Sequence, residues 1–212
     1  MRPSLSPFAR RLIGLALLAD ALVVALHVLD ELGGWEKRLF DLTEEQNLPT
    51  WLNSVQFAGA ALAAALAAEV ARRRLAWRAL AAILLFFSLD ELALVHEEII
   101  ERVTDESGGE PWFWPFFYTP IAAACLAAVV VAARDARRAL GSVWLFLAGF
   151  GCLGVALVLD GAAAEYMDEP WLWQPSVVVE ESLELLGPVL LAVVGLAVWE
   201  NRAASASTFS RE

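Results

Sequence analysis

Residues 178–199 read VVEESLELLGPVLLAVVGLAVW, and after Glu180, Glu181 and Glu184 no charge interrupts the run as far as Trp199. About 20 mostly apolar residues in helical form cross a hydrocarbon core of roughly 30 Å, so a stretch of this length predicts a membrane helix. Working outward, five further runs of the same kind appear at about 9–29, 52–71, 76–97, 115–133 and 142–164. Short polar or Gly/Pro-marked segments separate them, and none is large enough for an independent soluble domain. The expectation is an all-α integral membrane protein, a single six-helix bundle occupying residues 1–212.

Composition agrees. Of 212 residues, 59% are hydrophobic and 19% charged, with a mean hydropathy of +0.58. Ordinary soluble domains carry roughly 25% charge and 45–50% apolar residues. This much apolar content argues against intrinsic disorder, and two cysteines, Cys125 and Cys152, are too few for a disulfide scaffold. A net charge of −11 argues against nucleic acid, whose phosphates require a basic face.

The basic residues orient the bundle, because cytoplasmic loops collect Lys and Arg. Arg2, Arg10 and Arg11 precede the first run; Arg72, Arg73, Arg74 and Arg78 lie between the second and third; Arg134, Arg137 and Arg138 follow the fourth; Arg202 and Arg211 form the tail. Only Lys37, Arg38 and Arg102 fall on the other side, so both termini are expected in the cytoplasm. Trp35, Trp51, Trp112, Trp114, Trp171 and Trp173 sit at the outer ends of the runs and Trp77, Trp144 and Trp199 at the inner ends, as headgroup-level indoles should. The first run could pass for a cleaved leader, but its apolar stretch continues through Leu29, beyond the Ala19-Asp20-Ala21 triplet, and it is expected to stay as an anchor.

With this orientation the acid is polarised: apart from Asp20, Glu69, Asp135, Glu200 and Glu212, all acidic residues, together with His27 and His96, lie in the outer loops or outer half. Ionisable groups inside a span cost about 2.5–3.5 kcal/mol even on lenient insertion scales, and so call for partners or a wet cavity. At about 100° per residue, Asp20, His27 and Glu31 share one stripe of the first helix, and Asp90, Glu97 and Glu101 one stripe of the third. Glu180, Glu181 and Glu184 line the sixth, and Asp160 with Glu165 the fifth. Carboxylates crowded at one depth need protons or a cation among them, and oxygen and imidazole donors from facing helices point to a divalent Zn, Mn or Fe ion. The expected ligands are His27, Asp90, Glu97, Asp160, His96 and Glu180, with Glu97 and Glu184 as candidate catalytic bases. Glu180 and Glu181 have an ordinary alternative in the positive helix N-terminus, and His27 in a favourable place at a helix C-terminal end. Pro188 lacks an N–H, which is expected to free the carbonyl of Glu184, and Gly187 beside it eases a break.

Other patterns carry less. Gly149-Phe-Gly-Cys-Leu-Gly154 has the spacing of a dinucleotide fingerprint but lies inside an apolar run, where glycines serve helix packing, as do the alanines of 58–68; no nucleotide is expected. His96-Glu97 is followed by Ile100 where a zincin has its second histidine. The lone lysine, Lys37, lies in a loop, which leaves no retinal Schiff base, and the acidic surroundings of both histidines argue against haem.

Taken together, NLPTW at 47–51, SLDELALVHEE at 88–98 and EESLELLG at 180–187 resemble a widespread set of bacterial polytopic membrane proteins carrying these signatures in this order. The resemblance implies no activity. It implies a bacterial inner-membrane location and places Asn47, Pro49, Trp51, Asp90, Glu91, His96, Glu97, Glu180, Glu181, Glu184 and Gly187 in a family pattern, with Asn47–Pro49 as a turn and Thr50 capping the second helix.

Three functions compete. The first is a metal-dependent membrane enzyme acting on a lipid-like substrate, with a metal-bound water activated by Glu97 or Glu184. The second is a proton- or cation-coupled transporter or channel, its pathway running through Asp20, Asp90 and Glu184 to an inner exit at Glu69. The third is an assembly or scaffold protein whose buried acids only fix helix register. The bilayer is the one partner common to all three, and oligomeric state is left open.

Overall fold

A computed structural model describes residues 5–33, 39–42, 46–95, 114–141, 143–166 and 170–209. Among the described residues it is all-helical: α1 (Pro7–Gly33), α2 (Leu48–Val70), α3 (Arg74–Ala93), α4 (Trp114–Leu140), α5 (Trp144–Tyr166) and α6 (Pro170–Phe209). Four of these contain stretches long and apolar enough to cross a membrane, at Pro7–Asp30, Leu48–Val70, Thr119–Leu140 and Pro175–Arg202, and Trp144–Leu159 is a shorter apolar helix.

The long sixth helix is the hub. It packs against α1, α2, α4 and α5, while α3 packs on α2 and α4. Small residues make this possible: Ala60, Ala64 and Ala67 of α2 are buried in one apolar core with Trp77 and Leu80 of α3, Ala132 and Ala136 of α4, Phe146 of α5 and Val194 and Val198 of α6. Without bulky side chains the backbones approach closely, and dispersion replaces the hydrophobic drive that lipid cannot provide. A Cβ on Gly195 would lie 2.7 Å from the backbone carbon of Ala63. A Cβ on Gly187 would lie 2.6 Å from Leu153 Cδ2 and 3.2 Å from the carbonyl oxygen of Gly149, and Gly149 faces Leu191 and Gly187 reciprocally. Glycine packing therefore accounts for Gly149, whereas Gly151 and Gly154 of the same motif face open space.

Several boundaries differ from the sequence expectation. The third helix, expected to run to residue 97, is interrupted at Leu94, whose φ of 51° lies in the left-handed region and whose N–H caps the carbonyl of Asp90 at 2.8 Å. Glu97 and Glu101, expected on one stripe with Asp90, lie outside the described residues. The second helix begins at Leu48, a turn before residue 52, because Asn47 caps it. In contrast to the expected break at Gly187-Pro188, α6 continues through both Pro175 and Pro188. Gly187 serves the approach to α5 instead.

The outward faces are greasy. Leu12, Leu15, Leu18 and Leu22 of α1, Leu62 of α2, Leu126 of α4 and Val158 of α5 are all exposed. Exposure of apolar residues on this scale is not tolerated in water and is ordinary in lipid.

Candidate functional site

The contact face of α1 explains what the acids do. Over its outer half the buried residues are Asp20, Val23, His27 and Asp30, while the neighbouring leucines are exposed. At about 100° per residue these four occupy one stripe roughly 80° wide. The first helix thus meets the bundle mainly through polar groups. Asp20 and His27 lie on the face expected of them; Asp30 joins them, and the side chain of Glu31 lies outside the described residues.

Asp20 is 13 residues from Pro7 and 13 from Gly33, at the middle of α1. One of its carboxylate oxygens accepts from the amide of Gln56 on α2. Its other oxygen, Oδ2, is buried with no hydrogen-bond partner among the described residues, as are Gln56 Oε1 and Asn53 Oδ1. Asn53 and Gln56 are three apart and so share a face of α2. Asn53 Nδ2 donates to Glu184 Oε2 of α6 at 3.4 Å. A neighbouring polar contact ties α2 to α3, where Ser54 Oγ donates to the carbonyl of Ser88 at 2.7 Å. Asp90, two residues further on α3, is buried as well. Three buried acceptor oxygens without donors are costly, about 1–3 kcal/mol each, which is the kind of deficit that binding sites carry.

Above Asp20 along α1 comes an apolar layer: Val23 packs with Leu42 and Val177, and Val24, Leu52 and Val178 pack around them. One turn further out is His27. Its Nδ1 accepts the backbone N–H of Leu42 at 3.1 Å and lies 3.7 Å from Asp41 Oδ1. A ring nitrogen that accepts carries no proton, so in the neutral ring Nε2 holds the hydrogen. As placed, the Nδ1 lone pair is taken up by Leu42, and His27 clamps the 39–42 segment. The other side of that segment is held by Asn47, whose side-chain amide donates to the carbonyl of Asp41, and by Leu48, whose N–H donates to the carbonyl of Leu39 at 3.2 Å. Asn47 Oδ1 also accepts the Thr50 N–H at 3.2 Å. The cap of α2 is therefore Asn47 and not Thr50, because only Asn47 has the extended backbone that lets a side chain fold back over the first turn.

The remaining expected site residues divide as follows. Asp90 and Glu184 lie on the helices that face Asp20's partner helix, Asp90 buried and Glu184 half-buried; Glu180 is also half-buried on α6. His96 and Glu97 lie outside the described residues, as does the side chain of Asp160. Among the described residues no group of three His, Cys, Asp or Glu side chains could hold a metal ion. Glu69, expected as an inner exit, is exposed and pairs with Arg78 at 3.4 Å.

One cluster went unnoticed in the sequence. Asp135 of α4, 1% exposed, accepts from Arg202 Nη2 of α6 at 2.7 Å and from the Arg73 N–H at 3.1 Å, while Arg202 Nη1 donates to the carbonyl of Val70 at 3.2 Å. These bonds lock α4, α6 and the α2–α3 turn at one end. Asp135 was the clue, the one acid set among Arg134, Arg137 and Arg138. At the same end Ser6 donates through its N–H and Oγ to Glu200, at 2.8 and 2.6 Å, joining the start of α1 to α6.

No curated protein and no solved structure matches the chain. A family model, described as Domain of unknown function DUF8692, matches residues 10–199. With nearly the whole length matched, the chain belongs to the DUF8692 family.

Proposed function

We propose that this is a six-span membrane protein that passes a proton or small cation through its bundle, with Asp20 as the central ion-binding group. The observation that carries the reading is Oδ2 of Asp20, buried halfway along α1 on the face turned to the bundle and without a hydrogen-bond partner among the described residues. An intramembrane carboxylate facing the bundle interior, rather than lipid, is the usual mark of an ion pathway. Asn53, Gln56 and Glu184 extend the polar line from Asp20 to α6, and Asp90 adds a second buried carboxyl on α3. The Val23–Leu42–Val177 layer lies between Asp20 and His27 along α1 and would act as the outer gate, since an apolar constriction excludes ions by dewetting.

What supports this reading over a metal-dependent enzyme is that His27 Nδ1, one of the expected donors, is engaged by Leu42. We place the protein in the bacterial inner membrane with both termini cytoplasmic. Support comes from the Ser6–Glu200 link, which brings the start of α1 and the far part of α6 to one end, and from the arginines gathered there.

The test is flux in proteoliposomes. The wild-type protein should dissipate an imposed pH or Na+ gradient, and Asp20→Asn should reduce the rate at least about tenfold. Equal rates for variant and wild type, or rates no higher than empty vesicles, would sink the reading.

A further inference from the structure

Resting on the ion-binding reading of Asp20, we propose that the ion held there is a monovalent alkali cation, bound by an all-oxygen site made of Asp20, Gln56 and Asn53. The argument is one of acceptor counting. Asp20 Oδ2, Gln56 Oε1 and Asn53 Oδ1 are buried and lack donors among the described residues, and the three side chains are each at least nine-tenths buried. The amide nitrogens are already committed, Gln56 Nε2 to Asp20 and Asn53 Nδ2 to Glu184, so both amide oxygens are oriented by their own hydrogen bonds and cannot flip into donors without losing them.

A proton does not complete this site. Placed on Asp20 it converts Oδ2 into one O–H donor, which can serve one further acceptor and leaves the other amide oxygen bare. A cation satisfies several oxygens together and also balances the carboxylate. Its class follows from the donors. Carboxylate and amide oxygens with no sulfur or free nitrogen suit hard ions and disfavour zinc and its neighbours. A divalent hard ion is poorly matched, because such ions gather several carboxylates as direct ligands and Asp20 is the only carboxylate among the three side chains. Glu184 reaches the site through Asn53, as a positioning residue that fixes the direction of Asn53 Oδ1.

The experiment uses the full chain in detergent, with thermal unfolding followed as NaCl replaces choline chloride at constant ionic strength. Na+ should raise Tm with the logarithm of its concentration above Kd, on the order of 5 °C once it exceeds Kd by some tens of fold. Asp20→Asn should abolish the rise, and Asn53→Ala, which keeps the carboxylate, should shift the Na+ concentration at which Tm begins to rise upward at least about tenfold. The last variant guards against the case in which Asp20→Asn fails to fold. A Tm indifferent to Na+ beside Asp20-dependent proton flux in vesicles would overturn the alkali-cation site and leave the pathway standing. Indifference to Na+ without any flux would overturn both. Stabilisation by Ca2+ or Zn2+ in place of Na+ would overturn the assignment of charge.

Discussion

At Asn47 a single side chain starts a helix and pins a loop. Its Oδ1 takes the Thr50 N–H and its amide takes the carbonyl of Asp41. Loss of an N-cap costs about 1 kcal/mol, and here the loop contact goes with it. Asn47→Ala should therefore lower Tm by roughly 2–6 °C, and Asn47→Asp, which keeps the cap but not the amide donor, should recover only part. A full recovery by Asp would show that the Asp41 contact contributes nothing. His27 is read in the same terms. Its nitrogen holds the N–H of Leu42, and Leu42 fills the apolar layer over Asp20, so in the proposed pathway the histidine would position the gate without touching the ion. Leu42→Ala should consequently raise the leak of protons or Na+ through proteoliposomes several-fold while leaving Asp20 in place. An unchanged leak would remove the gate from the mechanism. The type of each residue was legible in the chain, but the job of His27 was not. Its acceptor bond comes from a backbone N–H 15 positions away, and no spacing rule reports that.

Between elements, the deciding contacts are glycines, and they are not equivalent. A Cβ at Gly195 would run into the backbone of Ala63, which cannot yield unless α2 and α6 separate. A Cβ at Gly187 would meet first the end of Leu153, a side chain that can change rotamer. At Gly151 and Gly154 nothing lies within 4 Å. The order of damage on substitution by alanine should be Gly195 most, at about 1–3 kcal/mol, then Gly187, with Gly151 and Gly154 near zero. Thermal unfolding of the four variants checks it, and equal losses at Gly151 and Gly195 would contradict the packing. The Ala-rich second helix announced its packing role in composition alone. For the glycines, the sequence offered Gly149, Gly151 and Gly154 as packing residues, and helix rotation about the long axis selected Gly149 among them.

Over the whole molecule, the end that gathers arginines is held by Asp135. The carboxylate is almost fully enclosed and joins α4 to α6 through Arg202 and to the α2–α3 turn through the Arg73 N–H. Arg202→Ala would leave that charge buried with one backbone donor and the distant Arg138, 4.0 Å away, and should cost about 3 kcal/mol. Replacing both residues, Arg202→Ala with Asp135→Ala, should cost less than Arg202→Ala alone, because no uncompensated charge remains. A double variant less stable than either single one would deny the coupling.

What the chain determined by itself is its solvent and its class of secondary structure. Long apolar runs must be helical in lipid, since every backbone donor and acceptor has to be satisfied within its own segment, and this local requirement can be read from length and hydropathy. The stripe of Asp20 and His27 was legible for a similar reason, as helical periodicity places residues seven apart on one face. Only the tertiary structure decided which of the acids meet one another. It set Gln56 and Asn53 beside Asp20 and Glu184, turned the nitrogen of His27 onto Leu42, capped the third helix at Leu94, and sent Glu69 to the surface. Each of these depends on how one helix is rotated and raised against another. That relation is set by close packing of small residues from distant parts of the chain, and it leaves no periodic trace within any one helix.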